Sequence, residues 1–194
     1  ETGSKNVQDL KTNYEESLKE FDDLSKRLTK EREKAAAVLD TMIEKELKPL
    51  KMERARFKTE IKQATPNELG LDSVVFTIST NSGSKFGSLM KIASGGELSR
   101  FLLALKVCLT HDQKGVSLVF DEIDRGIGGA TADAVGRRLL KLAEKDAQVL
   151  VVTHSPQVAA LAERHFVVSK GIEDGKTLSR VKQIEGRDCV EEIA

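Results

Sequence analysis

The chain contains no tryptophan, one tyrosine and seven phenylalanines, so any core it builds is mostly aliphatic. Its two cysteines, Cys108 and Cys189, are isolated and lack metal-ligand spacing. That excludes a disulfide framework and points to reduced, structural thiols in a cytosolic protein. Net charge is absent as well: 31 Lys and Arg offset 31 Asp and Glu. Total charge therefore gives no argument for a polyanion-binding surface. No apolar run approaches the length of a membrane span, and no secretory signal pattern opens the chain. The loop GxxxxGK[ST], which cradles nucleotide phosphates, is missing from all 194 residues. Residues 1–4, ETGS, resemble an expression-tag remnant and carry no weight in the fold reasoning.

Glycine and proline are also nearly missing from Val7 to about Leu50, a stretch rich in Lys, Glu, Leu and Ala. A heptad template places Val7, Lys11, Tyr14, Leu18, Phe21, Ser25, Leu28, Arg32, Ala35, Leu39 and Met42 at its a and d positions. Eight of these eleven are apolar, which predicts a coiled-coil seam weakened at Lys11, Ser25 and Arg32. The stripe then shifts to Ile43, Leu47 and Leu50, so the repeat ends near residue 50. Such a seam needs a partner strand from another segment or another molecule.

After Pro49 the period changes to that of strands. RFKTEIK alternates Phe57, Thr59 and Ile61, SVVFTIST follows as a second strand, and NSGSKFGS reads as a loop. The pattern then becomes α/β: a buried helix over Glu97–Leu109, an apolar strand over Val116–Phe120, a helix over Ala130–Lys145 and an apolar strand over Gln148–Thr153. A further helix runs from Pro156 to Glu163. HFVVSK and TLSRVKQI form a terminal hairpin, and DCVE at Asp188–Glu191 resembles a capping box. Two apolar strands joined by a helix predict a parallel sheet buried on both faces, with ligands beyond the carboxyl ends of its strands. The expected division is residues 5–50 as an arm strand and 51–194 as a globular lobe.

Three places carry chemistry. SGGELSR, Ser94–Arg100, sets a hydroxyl and two bare glycines before a helix, with Glu97 opening it. The plain reading is punctuation; the sharper one is a helix N-terminus that holds phosphate. Asp121 and Glu122 emerge from an apolar strand where a magnesium-binding carboxylate sits in nucleotide hydrolases. His154 emerges from the neighbouring apolar strand on the same edge. Arg100, Arg125 and Ser155 lie beside these groups and read as solvated surface residues.

The order of SGGE, helix, strand with DE, helix, strand and His resembles the C-terminal half of an ABC-type ATPase head: signature motif, Walker B, D-loop and switch histidine. With a coiled coil leading in, the resemblance narrows to SMC-like proteins. KIASGGELSRFLLALKV, LVFDEIDRGIGG and VLVVTHSPQVAALA look like the RecN family, bacterial SMC-like ATPases of DNA double-strand-break repair. The implied fold is α/β, the C-terminal lobe of an ABC/SMC-type head with a helix-flanked parallel sheet and a long N-terminal coiled-coil helix. The implied cofactors are ATP and Mg²⁺. By this resemblance Ser94, Gly95, Gly96 and Glu97 face the γ-phosphate held by a partner head. Asp121 associates with magnesium, Glu122 is the general base, His154 contacts the γ-phosphate, and Asp124 crosses the dimer interface.

The missing phosphate loop makes the chain read as the C-terminal part of a longer protein, inactive alone. Its implied partners are an N-terminal head lobe, the second coil strand and an identical ATP-bound head. DNA follows from the resemblance only, since Lys and Arg number 15 against 13 acids over residues 5–62. The implied location is the bacterial cytoplasm at the nucleoid, with no membrane. Two other readings stay open: another SMC-like or RecF-like ATPase, and a non-catalytic coiled-coil interaction module.

Overall fold

The computed structural model describes residues 2–81, 83–89, 95–110, 115–121, 123–144, 147–173 and 176–193. The elements run α1 (Thr2–Leu47), β1 (Arg56–Asn67), β2 (Gly70–Ser79), β3 (Gly87–Ser88), α2 (Gly95–Leu109), β4 (Ser117–Asp121) and α3 (Gly129–Ala143). They continue as β5 (Gln148–Val152), α4 (Pro156–Ala159), β6 (His165–Glu173), β7 (Lys176–Ile184) and α5 (Arg187–Ile193). No helix among the described residues is long and apolar enough to cross a membrane.

The chain forms two compact units, 1–45 with 54–92 and 46–53 with 93–194. This differs from a division at residue 50, because the antiparallel strands pack with the helix that precedes them. In the first unit, β1 and β2 pair antiparallel from Arg56↔Ser79 to Gln63↔Asp72. Phe57 and Ile78 face each other across the ladder and are both buried. The hairpin lies against α1 from Ser25 onward. Thr29 donates to Asp72 at 2.7 Å, Arg32 pairs with Asp72 at 3.1 Å, and Thr59 donates its N–H to Asp40 at 2.9 Å.

The hairpin's approach explains two of the three polar heptad positions. Ser25 and Arg32 line the place where Gly70 crosses the helix. Gly70 has φ +99°, and a Cβ there would stand 3.5 Å from Leu28, 3.6 Å from Ser25 and 3.8 Å from Arg32. Val7, Tyr14 and Leu18 are exposed, leaving the start of the seam without a partner among the described residues.

The second unit is built on α2 and the β4–α3–β5 crossover. Phe101, Leu103 and Ala104 on α2 have no solvent exposure, nor do Leu47 and Leu50. Cys108 lies in the same buried stripe, and burial pushes its thiol up to about 11. On α3, Ala132, Val135, Leu139 and Leu142 form a buried stripe at helical spacing. Gly136 lets α4 come close: a Cβ there would lie 2.8 Å from Leu161 and 3.3 Å from Val158 Cα. Glu46 forms an ion pair with Arg138.

β4 and β5 pair in parallel from Ser117↔Gln148 to Asp121↔Val152, as the sequence predicts. Their burial differs from the expectation of two covered faces. Phe120 is buried, whereas Val119, Leu150 and Val152 on the opposite face are 59%, 45% and 57% exposed. The α4 helix also stops early, at Ala159; beyond it the backbone tightens into three-residue steps, Leu161 N–H to Val158 O and Ala162 N–H to Ala159 O. β6 and β7 form the expected hairpin, His165↔Ile184 to Glu173↔Lys176. Helix α5 begins at Arg187, so Asp188 sits in its first turn and not at its cap.

Candidate functional site at the carboxyl edge of the parallel strands

A parallel register fixes which residues leave the sheet together. Asp121, the last residue of β4, pairs with Val152, the last of β5. The segments Ile123–Gly126 and Thr153–Ser155 therefore leave the same edge. Asp121 is exposed, on the face that also exposes Val119 and Val152. His154 is exposed on the loop after β5. The expected juxtaposition of Asp121 and His154 at one edge is present. Ser94 and Glu122 lie outside the described residues.

Asp124 departs from its expected place. Its side chain has no solvent exposure. Its Oδ2 accepts the Thr153 hydroxyl and, at 3.1 Å, the Ser155 N–H. The side chain is thus tied into its own lobe, whereas the resemblance implies a place at a dimer interface. Ser155 is likewise buried rather than solvated, with its hydroxyl 2.8 Å from Gln157 Oε1 at the start of α4.

The signature segment is also held from within. Helix α2 begins at Gly95, with Glu97 in its first turn, where a carboxylate meets the positive end of the helix. Gly96 is buried against the loop after β4: a Cβ would stand 2.8 Å from Ile127 Cγ2 and 3.4 Å from the Arg125 carbonyl. Gly95 faces open space. The two glycines thus do different jobs, Gly96 permitting close approach and Gly95 leaving the helix start bare.

Arg100 proves to be structural. Its Nε–H donates to the Gly96 carbonyl at 3.1 Å, and Nη1 donates to Leu50 O at 3.0 Å and Lys51 O at 3.2 Å. Burial lowers its pKa, opposed by the charges of Glu97 and Glu53. The guanidinium satisfies carbonyls past the end of α1 and steadies the first turn of α2. Nothing in SGGELSR itself announces this, because the acceptors stand about fifty positions upstream.

Unequal costs follow for the two glycines. Gly96→Ala is expected to lower the stability of this chain by ~1–3 kcal/mol, since Ile127 must move to admit the methyl group. Gly95→Ala should change it by less than ~0.5 kcal/mol. Urea midpoints on the two variants check this; equal losses would show that Gly96 is not closely packed.

A single magnesium ion in a nucleotide site takes one or two carboxylates, with phosphate oxygens and water completing its shell. An exposed Asp121 at the strand end fits that modest demand. Among the described residues no group of three or more His, Cys, Asp or Glu side chains able to hold a metal ion occurs.

The geometry has counterparts among known proteins. No family model matches the chain. It is 48% identical over 161 residues to the DNA repair protein RecN of Rickettsia prowazekii, covering 82% of the chain and 29% of that protein. It is 42% identical to RecN of Rickettsia conorii (97% and 34%) and 41% identical to RecN of Bacillus subtilis (78% and 29%). The chain thus spans about a third of the length of the curated relatives it matches.

Among solved structures, the SMC head domain with a coiled coil and joint from Pyrococcus yayanosii superposes with a TM-score of 0.66. The match is 15% identical and covers 98% of this chain and 35% of that one. The SMC head with an extended coiled coil from Pyrococcus furiosus, bound to the C-terminal domain of ScpA, gives 0.57 at 17% identity, over 97% and 54%. Identity at that level speaks for the fold alone, an SMC-type head with part of its arm. With identities of 41–48% across most of its length, the chain belongs to the RecN family.

Proposed function

We propose that this chain is the C-terminal part of a RecN-type ATPase, one coil strand plus the C-terminal head lobe, and that the whole protein couples ATP-driven head engagement to DNA double-strand-break repair in the bacterial cytoplasm. The observation that carries this reading is the parallel β4–β5 pair, which puts Asp121 and the His154 loop on one edge. Beside it, α2 starts at two glycines. Asp121 would hold Mg²⁺, which when bound neutralises charge on the phosphate oxygens. Glu122 would take the proton of the attacking water, and His154 would meet the γ-phosphate. Ser94, Gly95 and the start of α2 would face the nucleotide of a partner head, as ATP-driven dimerisation requires.

The exposed apolar face of β4–β5 supports an absent lobe. Parallel sheets are normally covered on both sides, and here Val119, Leu150 and Val152 are left open. An N-terminal lobe bearing the phosphate loop is the partner such a face suits. Two lobes of the longer protein would then share one nucleotide site, and DNA would be bound by the assembled protein.

The test is complementation. Purified alone, this chain is expected to show no sustained hydrolysis of Mg-ATP, because the loop that makes most of the phosphate contacts is not in it. Co-purified with the N-terminal head lobe, it should hydrolyse ATP. Turnover by the chain alone that disappears with Glu122→Gln would overturn the two-lobe reading. A complex that binds no ATP would favour a plain interaction module.

A further inference from the structure

His154 lies between two residues that are tied to one buried carboxyl group. Asp124 Oδ2 accepts the Thr153 hydroxyl and the Ser155 N–H. The same N–H reaches Thr153 Oγ1 at 2.9 Å, closing a small polar ring. Oδ1 of Asp124 has no hydrogen-bond partner among the described residues. The carboxyl is itself held in place: Ile123 beside it is buried, and the Asp124 carbonyl accepts the Ile127 N–H at 3.1 Å.

This ring has a directional consequence. Ser155 is in extended backbone, φ −90° and ψ 117°, and neighbouring side chains in extended backbone point to opposite sides. Drawing Thr153 and Ser155 inward sends the residue between them outward. His154 is exposed while Ser155 is buried. Burying a carboxyl group is costly, and a hydrocarbon of similar size would pack there without that penalty. What a hydrocarbon cannot do is accept both of these hydrogen bonds.

We propose that Asp124 is a positioning residue for His154, fixing the Thr153–Ser155 backbone so that the imidazole projects from the carboxyl edge of β4–β5. This rests on the reading of His154 as the γ-phosphate contact. It gives Asp124 a task within its own head. Because the clamp acts through backbone geometry, its loss misplaces the imidazole without removing any contact to the nucleotide.

The experiment uses the full-length protein with Asp124→Ala, Asp124→Asn, Thr153→Val, His154→Ala and the Asp124→Ala/His154→Ala double variant. Asp124→Ala should lower kcat for ATP hydrolysis by ~10–100-fold, the scale of a misplaced catalytic group, with KM for ATP within ~3-fold. Asp124→Asn keeps an acceptor and should stay within ~3-fold of the parent. Thr153→Val removes one donor at nearly constant shape and should lose several-fold in kcat, which keeps the proposal testable if Asp124→Ala folds poorly. In the His154→Ala background, Asp124→Ala should cost less than ~2-fold more.

Hydrogen exchange at the Ser155 amide provides an independent readout. It should quicken by at least ~10-fold in Asp124→Ala and remain slow in His154→Ala. Additive losses in the double variant, equal losses with Asn and Ala, or an unchanged Ser155 amide would each overturn the proposal. If His154→Ala leaves turnover intact while Asp124→Ala frees the Ser155 amide, the γ-phosphate reading of His154 fails and Asp124 still fixes the loop.

Discussion

Glu122→Gln in the full-length protein is expected to slow ATP hydrolysis by ~10²–10⁴-fold while leaving ATP binding intact, the usual worth of a positioned general base. The substitution removes a proton acceptor and nearly preserves shape. Nucleotide should therefore still draw two heads together, and the engaged dimer should persist because the step that releases it is blocked. Single-turnover hydrolysis and light scattering with ATP, made on one preparation, measure both halves of this expectation. Asp121 is the control. On the proposed reading its carboxylate meets magnesium, so Asp121→Asn should weaken Mg-ATP binding itself. Loss of nucleotide binding by Glu122→Gln, with no trapped dimer, would assign the glutamate a structural role.

Ser94→Arg is expected to abolish ATP-driven head dimerisation and to spare ATP binding by the single head. Ser94 immediately precedes Gly95, where α2 begins and where space is open. On the proposed reading this opening receives the partner's γ-phosphate, and a long side chain would block closure without touching the subunit's own phosphate loop. Gly96→Asp is a poorer probe than the sequence suggests. Gly96 is packed against Ile127, so its replacement would damage folding as well as docking. Thermal midpoint, nucleotide affinity and ATP-dependent dimerisation on the same Ser94→Arg preparation separate these effects. A stable variant that dimerises normally with ATP would reduce SGGELSR to punctuation.

Local chemistry made much of this molecule legible from its residues. Val116–Phe120 and Gln148–Thr153 are short, apolar and separated by a helical pattern, and they pair in parallel in register. Asp121 and His154 follow those strands directly, so their shared edge needed no knowledge of distant contacts. What could not be read depends on residues far away in sequence. Ser25 and Arg32 looked like flaws in a coiled-coil seam because Gly70 and Asp72, which they meet, lie some forty positions later. Asp124 read, by resemblance, as a residue reaching a partner head, and its ties to Thr153 and Ser155 lie some thirty positions later. Arg100 finds its acceptors at Leu50 and Lys51. In each case a polar side chain is explained by a partner that no local period reveals.

The buried thiol in α2 has a practical side. At pH 7.5 a group raised to about 11 is ionised in ~1 molecule in 3,000, and thiolate is the form that attacks maleimides. Cys108 is also 8% exposed, whereas Cys189 sits half-buried on α5, a helix with no buried residue among those described. Brief labelling at neutral pH should therefore mark Cys189 nearly alone, giving this chain a native single-site handle for a fluorophore without any cysteine removed.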